Sequence, residues 1–146
     1  MNLIVVGTDG SETAMKAVGA AAELARQTQR KLAIVSAYRP VSGVKISGTA
    51  GAGAEAQAWA DGLSESAVEA VLRDAAQIAK SEGIEVETHT RRGDPADALL
   101  AVAKDTDADL IVVGSRGMTG ARRVLGSVPN KVTHHADCSV MVVKTS

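Results

Sequence analysis

Apolar positions in this chain switch repeatedly between unbroken runs and helical stripes. Residues 3–6, 32–38, 110–113 and 140–143 are near-continuous aliphatic runs, the pattern of parallel strands covered on both faces. Residues 12–29 place Ala14, Ala17, Val18, Ala21, Leu24 and Ala25 on one helical stripe. Residues 64–82 do the same with Val68, Val71, Leu72, Ala75, Ile78 and Ala79, and Gly83 reads as the stop of that helix. Asp94 followed by Pro95 reads as an N-cap with proline at the first helical position, opening a helix to about residue 106. A last helix over roughly 127–136 precedes the final strand. The alternation of strand and helix predicts an α/β protein: a parallel five-stranded sheet with right-handed crossovers and helices on both faces.

Two strands depart from the buried pattern. Residues 84–90, Ile-Glu-Val-Glu-Thr-His-Thr, alternate apolar or β-branched with polar positions, as an outer strand with one wet face does. The last strand, 139–144, carries no such alternation although it is the last to be added. It either lies at a central place in the sheet or forms an uncharged edge that a second copy of the chain covers, and the second is the expectation carried forward. Between the second strand and the second helix, residues 39–62 are rich in Gly, Ala and Ser and are read as one flexible loop, either a functional lid or a partly disordered connection, with Trp59 pinning it to the body or stacking on a base.

The densest chemical signal follows the fourth strand. Ile111-Val112-Val113 runs into Gly114, Arg116, Gly117, Gly120, Arg122 and Arg123, and then into a helix start at Gly126-Ser127-Val128-Pro129. Glycines let backbone N–H groups approach a polyanion, and a helix N-terminus adds partial positive charge, so this segment is built to meet phosphate. It is not the GxxxxGK[ST] loop, since no Gly-Lys-Ser/Thr occurs, and the first strand ends Gly7-Thr8-Asp9-Gly10-Ser11, which is not GxGxxG. A receiver domain is set aside too: Asp9 stands without a second acidic residue, and Arg91-Arg92-Gly93 ends the third strand where such a domain carries an aspartate. In a doubly wound sheet the loops after the first and fourth strands meet where the winding reverses, which brings Asp9 close to Gly114 and Gly117.

Composition narrows the partners. A length of 146 residues suits one domain, 1–146, able to bury about two-thirds of its unfolded surface without a disulfide or metal staple. No Phe and only Tyr38 and Trp59 among aromatics make the core aliphatic and leave few platforms for stacking bases. Sixteen basic residues against seventeen acidic ones supply no positive field for nucleic acid. No apolar run reaches membrane-spanning length, and the opening residues lack a basic leader, so a cytosolic protein is expected. The single cysteine, Cys138, fits a reducing compartment and the role of a small buried hydrophobe.

The Val-Gly-Thr-Asp-Gly-Ser turn, the Gly93-Asp94-Pro95 helix entry, and the run from Val113-Gly114 through Gly126-Ser127-Val128 resemble the universal stress protein family along essentially the whole chain. The resemblance implies a Rossmann-like, adenine nucleotide alpha hydrolase-like fold, doubly wound with strand order 3-2-1-4-5. It also implies a homodimer through the last strands and an adenine-nucleotide site marked in one branch by G-x2-G-x9-G-[ST]. Here Gly114 and Gly117 match the first half and Gly126-Ser127 the second, with eight residues between Gly117 and Gly126, one fewer than the pattern. Gly120 inside that spacer can tighten the turn. Carried over by position, Asp9 would meet the ribose and nearby phosphate, the Ala37 backbone the adenine edge, and Gly114, Gly117, Gly126 and Ser127 the phosphates, with Arg116 in reach. The ligand implied is ATP, with Mg²⁺ able to accompany it.

Each residue also has a plainer role. Ser127 can cap its own helix, Asp9 can cap the first helix although Ser11 is better placed, and surface arginines are commonly solvated. His134 and His135, adjacent at a helix C-terminus, project in different directions and make a poor metal pair. No motif sets a general base beside a nucleophile, so the expectation is a stress-linked sensor or regulator that binds ATP and hydrolyses it slowly if at all. The alternatives are a binder of cyclic AMP or another adenine nucleotide, a slow ATPase or phosphotransferase, and a nucleotide-free interaction module.

Overall fold

The computed structural model describes residues 3–39, 52–115 and 126–145, with backbone alone for 52–64. In chain order the elements are β1 (Leu3–Gly7), α1 (Glu12–Thr28), β2 (Lys31–Tyr38), α2 (Ala52–Lys80), β3 (Val86–Arg92), α3 (Pro95–Asp105), β4 (Leu110–Gly114), α4 (Ser127–His135) and β5 (Ser139–Val143). The strands pair in parallel in the order β3-β2-β1-β4-β5. This is the Rossmann-like arrangement in which β1 and β4 are neighbours although α1, β2, α2, β3 and α3 separate them in sequence.

The unbroken apolar strands are unbroken because each face has its own helices. Val5, Val35, Ile111 and Val113 point to a layer formed by Leu99, Val102 and Val132 of α3 and α4. Their neighbours Ile4, Val6, Ile34 and Val112 point to the opposite layer, formed by Val18, Ala21 and Ala25 of α1 and Leu72, Ala75 and Ala79 of α2. Side chains that alternate along a strand thus enter two separate aliphatic cores. Small alanines on α1 let that helix lie close on the sheet, where Ala17, Ala21, Ala22 and Ala25 are almost wholly buried.

Several expectations are corrected. Residues 52–62 belong to α2 rather than to a loop: Ala52, Ala54, Ala56, Ala58 and Ala60 alternate through the segment, and the helix propensity of alanine outweighs the two glycines among them. Trp59 therefore stands on a helix, its side chain outside the described residues, as are residues 40–51 of the expected loop. Ile78, placed on the buried stripe of that helix, is 41% exposed. The third strand starts two residues later than its alternation suggested, at Val86, although its edge position holds. Gly126, not Ser127, is the N-cap of α4, with no side-chain cap bond, so Ser127 is the first residue of the helix. β5 is the other edge, and Met141 and Val142 lie there 39% and 38% exposed.

Candidate functional site

All five strands run the same way, so the residues just beyond their C-terminal ends share one rim of the sheet. At that rim, where the winding reverses between β1 and β4, a cleft of about 180 Å³ opens. Its walls are Gly7, Thr8 and Asp9 from β1 and the turn after it, Val35 and Ala37 from β2, and Val113 and Gly114 from β4. Thr13, Ala14 and Ala17 of α1, Pro95 and Leu99 of α3, Val128 and Pro129 of α4, and Thr145 beyond β5 complete it.

Local sequence fixes each wall. The β1–α1 turn is held by an Asx bond, Ser11 N–H donating to Asp9 Oδ1 at 2.9 Å, while the Thr8 hydroxyl accepts from Gly10 N–H at 3.1 Å. Ser11 Oγ then caps α1 by accepting from Ala14 N–H at 3.2 Å, as its position suggested. Gly10 has φ +83°, and a Cβ there would lie 2.9 Å from Val71 of α2, so both backbone angle and packing demand glycine. Across the cleft, α3 begins at Asp94, whose carboxylate accepts from Asp97 N–H at 3.1 Å.

Asp94 also gathers charge from two other elements. Arg39 beyond β2 donates to its Oδ1 at 2.7 Å, and Lys131 of α4 stands 3.5 Å from Oδ2 while reaching Asp97 at 2.7 Å. The bond from the Asp97 amide, aided by Lys131 and Arg39 against a desolvation penalty, holds the Asp94 carboxyl below its ordinary value. The bond to Asp97 and the two aspartate charges push the Lys131 ammonium up. This cluster ties β2, α3 and α4 together at the edge of the cleft.

Of the residues singled out in the sequence, Asp9, Ala37 and Gly114 come together on the cleft wall. Gly126 and Ser127 stand at the start of α4, directly before the lining residues Val128 and Pro129. Arg116 and Gly117 lie outside the described residues. Sequence reasoning missed Thr13, Leu99 and Thr145, which carry no motif; the signal that could have found Thr145 is its place just past the end of a parallel strand. His134 is fastened locally, its Nδ1 2.7 Å from Asn130 O, and among the described residues no group of three or more His, Cys, Asp and Glu side chains could hold a metal. Cys138 is half-buried against the core, and burial pushes its thiol up. No helix among the described residues is long and apolar enough to cross a membrane.

A parallel sheet of order 3-2-1-4-5 with a cleft at its switch point defines a Rossmann-like protein of the adenine nucleotide alpha hydrolase fold. Within that fold the chain belongs to the universal stress protein family, whose sequence model matches residues 1–144. A universal stress protein of Mycobacterium tuberculosis is 36% identical over 98% of this chain and 96% of its own length. Among solved structures, a universal stress protein in complex with cAMP superposes with a TM-score of 0.76 at 33% identity, covering 99% of this chain and 98% of that one. One from Archaeoglobus fulgidus in complex with dAMP gives 0.68 at 27% identity, covering 99% of this chain and 98% of that one.

Proposed function

We propose that this chain binds an adenine nucleotide in the cleft at the ends of β1, β2 and β4, with ATP as the ligand, and works as a cytosolic stress-linked regulator in a homodimer. The observation that carries this reading is the convergence of Asp9, Ala37 and Gly114, far apart in sequence, on one cleft wall. In the proposed pose the adenine lies toward the Ala37 backbone and the apolar wall of Val35, Pro95 and Leu99. Asp9 accepts from ribose hydroxyls. The phosphates extend past Gly114 toward the N-terminus of α4, where Gly126 and Ser127 begin a helix whose first amides have no side-chain acceptor. Arg116 and Gly117 complete the phosphate contacts, and Mg²⁺ accompanies the nucleotide. The complexes of similar family members with cAMP and dAMP support an adenine ligand. Cyclic AMP is the second reading, because the similar structure at 33% identity holds it.

Titration calorimetry with ATP, ADP, AMP and cyclic AMP tests the proposal. Micromolar or tighter binding of ATP is expected; tighter binding of cyclic AMP than of ATP selects the second reading. If none of the four binds at millimolar concentration, the nucleotide-free interaction module takes its place.

A further inference from the structure

Four polar side chains line the cleft: Thr8, Asp9, Thr13 and Thr145. Three of them are engaged in the β1–α1 turn, Thr8 and Asp9 by backbone amides and Thr13 by the Ser11 hydroxyl at 3.2 Å. Thr145 is different. The residue is only 2% exposed, its Oγ1 is fully buried, and that hydroxyl has no hydrogen-bond partner among the described residues. Its backbone is nonetheless held firmly: Thr145 N–H donates to the buried Ser115 Oγ at 3.1 Å, and Ser115 N–H donates to Val143 O at 2.8 Å. These bonds fasten the chain beyond β5 to the end of β4.

The side chain occupies the space that Gly114 leaves. A Cβ on Gly114 would lie 3.1 Å from Thr145 Cγ2 and 3.4 Å from its Oγ1. A threonine is thus seated against the glycine that opens the phosphate-type segment, and a buried hydroxyl without a partner is costly enough to require a reason. Along the rim, Thr145 stands on the β5 side of Gly114, away from Ala37, and shares the cleft lining with Val128 and Pro129 of the first turn of α4. That is the end where anionic groups are favoured, since the first amides of α4 carry no side-chain cap.

We infer that Thr145 is a ligand-binding residue whose hydroxyl donates to a phosphate oxygen of the bound nucleotide, so that the chain beyond β5 reads the phosphate end of the ligand. The inference rests on the adenine-nucleotide reading and adds to it a residue outside the glycine-rich segment. Valine has nearly the shape of threonine without the hydroxyl, so Thr145→Val removes the donor and little else, and Thr145→Ser restores it.

The test is calorimetry of ATP and adenosine against the wild type, Thr145→Val and Thr145→Ser, together with the melting temperature of each protein without nucleotide. A lost hydrogen bond to a charged acceptor should weaken ATP between about ten- and a hundredfold in Thr145→Val. Thr145→Ser should recover most of that, adenosine binding should be unchanged in both, and the nucleotide-free Thr145→Val protein should melt at or above the wild type. Equal ATP affinity in wild type and Thr145→Val overturns the inference while leaving the nucleotide reading intact. So does an equal loss of adenosine affinity, or a melting point lowered by several degrees, which would show that the hydroxyl serves the fold. A wild type that binds neither ligand overturns the nucleotide reading itself and this inference with it.

Discussion

Removing the Asp94 carboxylate separates two kinds of stabilisation that meet on one side chain. Asp94→Ala deletes the N-cap bond to Asp97 N–H, with a typical cost of about 1 kcal/mol, and the contacts to Arg39 at 2.7 Å and Lys131 at 3.5 Å. Those partners are 67% and 43% exposed, so solvent screens both ion pairs; with the Arg39 pair at about 0.5 kcal/mol, the loss comes to at least about 1.5 kcal/mol. Asp94→Asn keeps an oxygen for the cap and loses only the charge, so at least about 0.5 kcal/mol should go. With an m-value of about 2 kcal/mol/M, urea midpoints should fall by about 0.7 M or more for alanine and about a third of that for asparagine. The pH dependence has a definite sign. The folded pKa lies below the ordinary 3.8, so the charge-borne stability is fully present above that value and is lost as pH falls through it toward the lower folded pKa. The midpoint gap between wild type and Asp94→Asn should therefore shrink below about pH 4 and with added salt, whereas the gap between the two variants should persist. Urea titrations at fixed protein concentration from pH 3 to 7 measure all of this. Equal destabilisation by alanine and asparagine at pH 7, or a wild-type gap that widens in acid, would refute the reasoning.

Leu99 is 3% exposed and serves both the α3–α4 core and the cleft wall, so Leu99→Ala should cost about 2–5 kcal/mol in urea unfolding and weaken adenosine as much as ATP; an ATP-only loss would count against an apolar adenine wall. Val142 is 38% exposed on edge strand β5, so Val142→Lys buries an unpaired ammonium only if a second copy covers that edge. Light scattering should show Val142→Lys as a monomer with an unchanged circular dichroism spectrum, and a wild type that is itself monomeric at high micromolar concentration would remove the basis for the dimer.

What the sequence reveals of the fold depends on how local the cause is. Runs such as Leu32-Ala33-Ile34-Val35 identify a strand covered on both faces because every position must be apolar whichever way it points. The wet alternation around Glu85, Glu87 and His89 likewise marks an edge, and β3 is one. The start of α2 was hidden because alternating alanines and glycines from 52 to 62 carry no amphipathic stripe, so periodicity was silent where propensity decided the matter. Ile78 misled for the complementary reason: its helical phase fits the stripe, yet sheet and neighbouring helix cover only the arc through Leu72, Ala75 and Ala79. Residue type allows Ser127 either to cap its helix or to meet phosphate, and the first of these does not hold because the chain enters α4 at Gly126 with extended ψ and places the serine inside.

The cleft follows a rule of topology more than one of motif. Because every strand is parallel, a residue within two positions of a strand's C-terminal end is delivered to the same rim, whatever precedes it. Thr8 and Asp9 after β1, Ala37 in β2, Gly114 ending β4 and Thr145 after β5 all meet that condition, and all line the cleft. Among the strands that line the cleft, the first announces its ending with glycine and aspartate and the fourth with glycine, so a motif finds those two and passes over the threonine. The remaining wall comes from helices whose phase is set by core packing: Leu99 lies on the same buried stripe of α3 as Ala96 and Ala103 and reaches both the core and the cleft. An apolar wall of this kind confers little orientation, while the few hydrogen-bonding groups at the strand ends confer most of it. Three of the four polar side chains there are already committed to the β1–α1 turn. The hydroxyl of Thr145 carries no such commitment among the described residues, which is why the valine and serine variants are the ones that test the β5 end of the cleft.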